Sequence, residues 1–235
     1  MKQTKNNMIW LLPLLPLTLG IFSLIRNCYS FKITVTLLLL CFGITVFLIQ
    51  HSRNAQRCDW LLAVAYLCCI GGDSFLFHRG SNPWLFVMGI LLFGAMHLNY
   101  LFLMRCYGTF NKRFGVIFTC LLLGYFMFFL LPLKEMALEL KIAVLLYLLL
   151  SCLTLSFAVS LRFTKLVKSL FIIAISLMIF SDTTVSLKEF LHWEKLNFLL
   201  MPTYYFSLIF MCLAMSAKLH HSAAVCPSRN DTPIS

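Results

Sequence analysis

Two aspartates, Asp73 and Asp182, lie inside strongly apolar stretches of a chain that has few acidic residues. A charged side chain at the centre of a membrane costs about 2.5–3.5 kcal/mol on insertion scales, so such residues usually serve a function. Two carboxyls that lie close together in a low dielectric do not both ionise, and at least one keeps its proton near neutral pH. One site would then hold an acid and a base, as hydrolysis without a covalent intermediate requires. The alternative is a structural role, in which each Asp hydrogen-bonds to a neighbouring helix.

Two other apolar stretches supply further polar side chains. His97 and Tyr100 are three residues apart and share one face of a helix, where they could bind substrate or position water. Each could equally be a buried packing residue. Tyr204 and Tyr205 follow Pro202 and could also bind substrate, although tyrosines near a membrane interface commonly serve as anchors.

The hydrophobic pattern indicates the scaffold that must position these side chains. The sequence is 61% hydrophobic and 11% charged, with a mean hydropathy of +0.90, whereas soluble domains are about 45–50% apolar and about 25% charged. Eight apolar stretches are each near the ~20 residues that cross a bilayer core. They cover residues 8–25, 33–50, 60–78, 84–104, 114–131, 140–161, 170–188 and 197–217. We predict an all-α, polytopic membrane protein, a bundle of about eight transmembrane helices.

The loop charges predict how this bundle is oriented. The lysines and arginines number 19, and 12 of them fall on one side of the predicted layout and seven on the other. By the positive-inside rule, both termini face the cytoplasm. The spans that carry Asp73 and Asp182 then run in the same direction, and the two carboxyls lie at a similar depth. They could therefore meet in the bundle interior.

The chain divides simply in this interpretation. Residues 1–218 form a single transmembrane helical domain, and residues 219–235 form a short cytoplasmic tail that we expect to be disordered. The first stretch follows two lysines, as a signal peptide would. It is longer than a usual h-region and lacks a clear cleavage site, which favours a retained helix.

Composition also argues against several classes of function. The net charge of +11 would suggest a nucleic-acid partner in a soluble protein, but here the basic residues lie in short loops, and we expect no nucleic acid. Most of the ten cysteines lie within apolar stretches, and no C-x-x-C pattern indicates a zinc site. His97 is the only histidine deep inside a span, which argues against a multi-histidine metal centre. We expect neither a metal nor an organic cofactor.

Four segments together resemble the YhhN-like lysoplasmalogenase family. GGDSFLF and the later GILLFGAMHLNYLF are similar to its G-D-x-x-L and G-x-x-x-F-x-x-x-H-x-x-Y motifs. IFSDTTVSL is similar to its S-D-x-x-L/V-x-x segment, and TYYFSLIFMCLAMSA is similar to its closing T-Y-Y-A-A-Q-x-L-I-x-x-S segment. The order, the spacing and an eight-span layout agree. The motif-bearing match covers about residues 66–104 and 171–217.

The resemblance implies a membrane hydrolase that cleaves the vinyl-ether bond of lysoplasmalogens to a fatty aldehyde and a glycerophospho-head group. Its partner would be a lysophospholipid substrate within the membrane. In a eukaryote, this membrane would be that of the endoplasmic reticulum. The family's acid/base pair falls on Asp73 and Asp182, and which of them is the acid stays open. The family's other site residues fall on His97, Tyr100, Tyr204 and Tyr205.

One position departs from the family's pattern. The Gln of the last span falls on Leu208, and the two small residues before it fall on Phe206 and Ser207. If that Gln orients water or a head group, this chain lacks the contact. A catalytically diverged member is therefore an alternative.

The same aspartates fit a second class of function. A proton-coupled transporter or a lipid-binding membrane protein could use them as a proton relay. The short loops and the absence of evident broken helices argue against a transporter. A seven-helix receptor fits less well, because the short loops and tail offer little surface for a coupling partner.

Overall fold

A computed structural model describes residues 12–26, 30–80, 82–134 and 137–224 of the chain, and these form helices and short connections. The helices are α1 (Leu14–Arg26), α2 (Phe31–His51), α3 (Trp60–His78), α4 (Pro83–Tyr107), α5 (Lys112–Tyr125), α6 (Leu138–Ala158), α7 (Lys165–Leu191) and α8 (Asn197–Ala224). A π-helical turn, Phe126–Leu130, extends α5, and the 3-10 turns Arg57–Asp59 and Glu194–Leu196 precede α3 and α8. Over these ranges the structure contains no strand, only an isolated bridge between Gly108 and Leu161.

Helices α2 to α8, taken with their flanking turns, are each long and apolar enough to cross a membrane. Helix α1 is apolar but has 13 residues, and the beginning of the predicted first span, residues 8–11, lies outside the described residues. The prediction of an all-α polytopic bundle is confirmed. Helix α8 continues to Ala224, so the last helix extends beyond the predicted domain boundary at residue 218. Residues 225–235 lie outside the described part, and a disordered tail there stays a prediction.

Capping side chains determine where three helices begin. The Ser30 side chain accepts a hydrogen bond from the backbone N–H of the third residue of α2, and Asn111 caps α5 in the same way. Asn82 caps α4, whose first residue is Pro83, a position where the missing N–H of proline is not needed. Gly80 precedes this cap with a φ of 48°, a left-handed conformation that favours glycine. A tight turn therefore joins α3 to α4.

Two glycines allow α3 and α4 to pack closely. A Cβ atom on Gly72 would lie 2.9 Å from the ring of Phe93, and one on Gly89 would lie 2.7 Å from the side chain of Leu76. Small residues let helix backbones approach each other in membranes, where van der Waals packing drives association. Because Asp73 directly follows Gly72, this packing determines where its carboxyl lies relative to α4.

Short connections join consecutive helices; α3 packs most extensively on α4 and α7 on α8, and α4 also packs against α6. One end of the bundle, which we call the mouth end, holds the ends of α3 and α7 and the beginnings of α2, α4 and α8. The opposite half of the bundle is filled by large buried side chains. They include Leu62, Tyr66, Met96, Tyr100 and Leu103.

A buried ion pair that the sequence analysis missed joins α8 to the start of α3 at the end opposite the mouth. Lys218 Nζ lies 2.7 and 2.6 Å from the two carboxylate oxygens of Asp59, and both side chains are buried. The hydroxyl of Tyr107 donates to Asp59 Oδ1 at 2.7 Å, and Lys218 Nζ lies 4.4 Å from the centre of the Tyr107 ring. The predicted topology counted Lys218 among the loop charges, but Lys218 is a buried residue of α8.

Candidate active site

A cavity of about 780 Å³ opens at the mouth end, and both Asp73 and Asp182 line it. This volume lies within the roughly 300–1,000 Å³ of typical small-molecule sites. Much of its wall is apolar, with Leu76, Phe93 and Leu148 among the lining side chains. Polar side chains gather at the aspartates and again at the rim. The cavity can therefore hold an apolar chain with a polar group at each of these two levels.

Asp73 of α3 is held by a tyrosine from α8. Tyr204 Oη donates to Asp73 Oδ2 at 2.7 Å, and the Tyr204 ring packs edge-on against Phe93 with 6.3 Å between ring centres. Tyr204 itself is buried but lines the cavity. The tyrosine thus orients one carboxyl oxygen of Asp73 while the carboxyl remains at the cavity wall.

Asp182 of α7 is held by a tyrosine from α6. Tyr147 Oη donates to Asp182 Oδ2, and the same hydroxyl oxygen lies 2.9 Å from His97 Nε2. His97 Nε2 is 4.0 Å from the carboxylate, too far for a direct hydrogen bond. Because the Tyr147 proton goes to Asp182, the Tyr147 oxygen accepts from His97 Nε2–H. His97, Tyr147 and Asp182 therefore form a hydrogen-bonded chain, which we call the relay.

The structure places His97 and Tyr100 behind the cavity wall. His97 is fully buried and reaches Asp182 only through Tyr147. Tyr100 is also fully buried, and its hydroxyl has no hydrogen-bond partner among the described residues. Neither side chain lines the cavity. Substrate binding by these two residues stays a prediction, and this placement favours an indirect role for His97.

The adjacent tyrosines of α8 point to different partners. Tyr204 reaches Asp73, whereas the hydroxyl of Tyr205 lies 2.6 Å from Thr34 Oγ1 on α2. Tyr205 is buried and does not line the cavity. Of the four substrate-binding residues that the sequence analysis named, only Tyr204 lies with the aspartates at the cavity wall.

Four charged side chains lie at the rim of the cavity. Arg79 Nη2 at the end of α3 forms an ion pair with Glu189 Oε2 near the end of α7 at 2.7 Å. The Arg79 guanidinium also lies 4.8 Å from the centre of the Phe86 ring. Lys32 and Lys188 line the same rim, and neither has an ion-pair partner among the side chains that the structure describes. The rim therefore carries three cations and one anion.

The described residues contain no group of three or more His, Cys, Asp or Glu side chains that could hold a metal ion. Asp73 and Asp182 each have one carboxyl oxygen held by a tyrosine and both line the cavity, an arrangement in which they could exchange protons with a ligand.

Comparison with known sequences identifies the chain's relatives. Residues 28–215, about four-fifths of the chain, match the YhhN family. The chain belongs to the YhhN family. No curated protein and no solved structure matches it. The family that the four sequence segments resemble is thereby confirmed, and the matched range contains both aspartates and all of the relay.

The departure from the YhhN pattern lies away from the cavity. Leu208 is fully buried in the core, and its backbone carbonyl accepts a hydrogen bond from the Tyr66 hydroxyl at 3.1 Å. The preceding Ser207 is buried as well and donates to the backbone carbonyl of Tyr204 at 2.7 Å. A glutamine at position 208 of this YhhN protein would face packed side chains. Having leucine there instead of glutamine therefore takes no polar side chain away from the cavity wall.

Sequence reasoning missed Tyr147, which links two of the residues that it found. Tyr147 lies in the leucine-rich run AVLLYLLLS of α6 and belongs to none of the YhhN motifs quoted above. One signal was available. Tyr147 is the tenth residue of a 21-residue span, far from the interfaces where tyrosine anchors lie, and a buried tyrosine hydroxyl usually has a hydrogen-bond partner.

Proposed function

We propose that this YhhN-family protein is a membrane hydrolase that cleaves the vinyl-ether bond of a lysoplasmalogen. The observation that carries the proposal is the placement of Asp73 and Asp182, from two different helices, on the wall of one largely apolar cavity. The vinyl-ether substrate is taken from the family resemblance. The geometry supports it because the reaction needs one carboxylic acid and one carboxylate, and both aspartates line the same cavity.

The proposed reaction begins with a proton transfer from one aspartic acid to the vinyl carbon that carries no oxygen. This step leaves an oxocarbenium ion at the adjacent carbon. The second aspartate, ionised, takes a proton from water, and the water oxygen bonds to that carbon. The resulting hemiacetal releases the glycerol oxygen as an alcohol and becomes a fatty aldehyde. During this collapse the first aspartate, now ionised, takes the hemiacetal hydroxyl proton, and the second, now protonated, gives its proton to the glycerol oxygen, so both aspartates return to their starting states.

The surrounding residues support this chemistry by orientation. Tyr204 and Tyr147 each hold one carboxyl oxygen, so both carboxyls keep a defined direction toward the cavity. The apolar wall accommodates the alkenyl chain and keeps bulk water from the oxocarbenium ion. A single-chain substrate suits a cavity of about 780 Å³, which opens at the mouth end.

The test is aldehyde release by the purified protein in nanodiscs supplied with lysoplasmenylethanolamine. We expect Asp73→Asn and Asp182→Asn each to abolish release, because either change removes a proton donor or acceptor. Glu139→Gln is the matched control, since Glu139 is an exposed carboxyl at the start of α6 and does not line the cavity. Full activity in either Asn variant, or no aldehyde from the folded wild-type protein, would sink the proposal.

A second measurement tests the order of bond changes. In D₂O, the proton added to the vinyl carbon becomes one deuterium on the carbon next to the aldehyde, which immediate reduction to the alcohol preserves. The saturated-ether lysolipid with the same chain and head group should not react, since it has no carbon to protonate. Cleavage of the saturated ether, or an aldehyde without deuterium, contradicts the mechanism.

A further inference from the structure

The predicted membrane topology does not explain the positive charges at the mouth of the cavity. The mouth end is the side of the bundle with the smaller share of lysines and arginines in the predicted layout, seven of 19, so the positive-inside rule does not place cations there. Nevertheless Lys32, Arg79 and Lys188 all line the cavity rim, and Glu189 lies among them. These four residues form the group that we call the headgroup clamp.

The ion pair within the clamp can exchange its partners at little cost. The Arg79 and Glu189 side chains are 32% and 24% exposed, and partly exposed ion pairs contribute little net stability. A ligand that brings one anion and one cation can therefore replace the pair without leaving either charge unpaired. Arginine suits a phosphate diester because its planar fork donates two parallel hydrogen bonds. The carboxylate of Glu189 suits an ammonium group.

The rise between the clamp and the aspartates along α3 and α7 can be compared with the length of a lysolipid head group. Arg79 follows Asp73 by six residues and Glu189 follows Asp182 by seven, a backbone rise of about 9 Å and about 10.5 Å at 1.5 Å per residue. In a lysoplasmalogen, five bonds separate phosphorus from the ether oxygen, about 6 Å at the spacing of an extended chain. The hydrogen bonds at both ends cover the remaining length. A head group at the rim thus places its ether bond at the level of the carboxyls.

We propose that the headgroup clamp recognises a zwitterionic glycerophospho-head group. Arg79, assisted by Lys32 and Lys188, binds the phosphate diester, and Glu189 binds the ammonium group. Glu189 determines the specificity, because three cations alone would favour an anionic lipid. The assignment rests on the proposed function for the lysolipid nature of the ligand, and it adds the head-group class and the residues that select it.

Binding of lysolipids that the protein does not cleave tests the clamp independently of catalysis. The probes share one saturated ester-linked chain: lysophosphatidylethanolamine, lysophosphatidylglycerol, which lacks the ammonium, and monoacylglycerol, which lacks the phosphate. Affinity is read from the ligand-dependent rise in Tm of the full-length protein. We expect lysophosphatidylethanolamine to bind about tenfold more tightly than lysophosphatidylglycerol, and monoacylglycerol to bind most weakly, as charge-assisted hydrogen bonds predict.

The variants separate the two halves of the clamp. Glu189→Gln should lose the preference for the ethanolamine head group, and Arg79→Gln should weaken both phospholipids about tenfold and leave monoacylglycerol unchanged. Lys195→Gln, at an exposed residue that does not line the cavity, is the control and should change nothing. The Tm of each unliganded variant shows that it is folded. Equal affinities for the three lipids, or an unchanged preference in Glu189→Gln, overturn the proposal.

A soluble probe distinguishes a lipid from a free phosphodiester. Glycerophosphoethanolamine, which has the head group but no chain, should raise Tm only at concentrations far above those of the lysolipid. Equally tight binding would assign the clamp to a soluble ligand and overturn its role in lipid recognition. The clamp and the proposed function fail separately. If the protein binds the three lipids with the expected order of affinities but releases no aldehyde, the clamp stands and the proposed function fails. If it releases aldehyde but binds the three lipids equally, the proposed function stands and the clamp fails.

Discussion

Replacing Tyr147 with Phe tests the relay that joins His97 to Asp182. The change removes the hydroxyl that donates to Asp182 Oδ2 and accepts from His97 Nε2, and it keeps the ring that packs edge-on against His97. A hydrogen bond to a charged group contributes about 1.5–3 kcal/mol. Since about 1.4 kcal/mol corresponds to a factor of ten in rate, kcat/KM for aldehyde release should fall about 10- to 150-fold.

A double-mutant cycle separates the relay from simple loss of contacts. His97 Nε2 lies 4.0 Å from Asp182, so its influence on the carboxyl passes through Tyr147. His97→Leu alone should lower kcat/KM, but adding it to Tyr147→Phe should change the rate by less than about threefold. Independent contributions would multiply, and a coupled pair would not.

The assay is initial-rate aldehyde release over a range of lysoplasmenylethanolamine concentrations, well below the Tm of every variant. Loss of orientation should appear mainly in kcat. The matched control is Tyr125→Phe, because the Tyr125 hydroxyl bonds to Ser186 in the same cavity at 2.6 Å and touches neither aspartate. Near wild-type activity in Tyr147→Phe, or fully multiplicative effects with His97→Leu, would refute the relay.

Three further predictions concern stability and the limits of the site. In a denaturation assay, Lys218→Met should lower the free energy of unfolding by about 3–5 kcal/mol, because it leaves Asp59 buried without its cation. Adding Asp59→Asn to the same chain should recover part of the loss. Tyr205→Phe should cost about 0.5–1.5 kcal/mol in the same assay and leave the rate of aldehyde release within about twofold, since its hydroxyl faces Thr34. Leu208→Gln should lower stability by about 1–3 kcal/mol and not raise activity, because the new amide enters the packed core; a gain in kcat/KM would contradict this.

The fold followed from the sequence because membrane spans obey one simple constraint. Each must be long and apolar enough to cross the hydrocarbon core, and this property is local in sequence. The aspartates were found for the same reason, since a carboxyl stands out in an apolar stretch. The ion pair of Asp59 and Lys218 was missed because both residues lie at span ends, where charges normally face water, and 159 positions separate them.

The tyrosines show what one sequence leaves undetermined. Successive residues of a helix point about 100° apart, so Tyr204 and Tyr205 could not both face one site, and this much was predictable. Which of them faces Asp73 depends on how α8 is rotated in the bundle, which only packing decides. The rings of His97 and Tyr100 pack edge-on against each other, as residues of one face can, but His97 meets Tyr147 of α6 and neither ring lines the cavity.

The position of the cavity bears on the choice between a hydrolase and a transporter. The parts of α3, α4, α7 and α8 that line it all belong to the mouth-end halves of these helices, residues 73–79, 86–93, 179–190 and 197–204. The other halves are packed, and the buried Asp59–Lys218 pair closes their far end. Alternating access to the same aspartates would require this packed half to open and a buried charge pair to separate. A hydrolase needs only the existing opening, through which a single-chain lipid enters and both products leave. The described geometry therefore favours the proposed hydrolase over a proton-coupled transporter, because only the transporter depends on a second conformation.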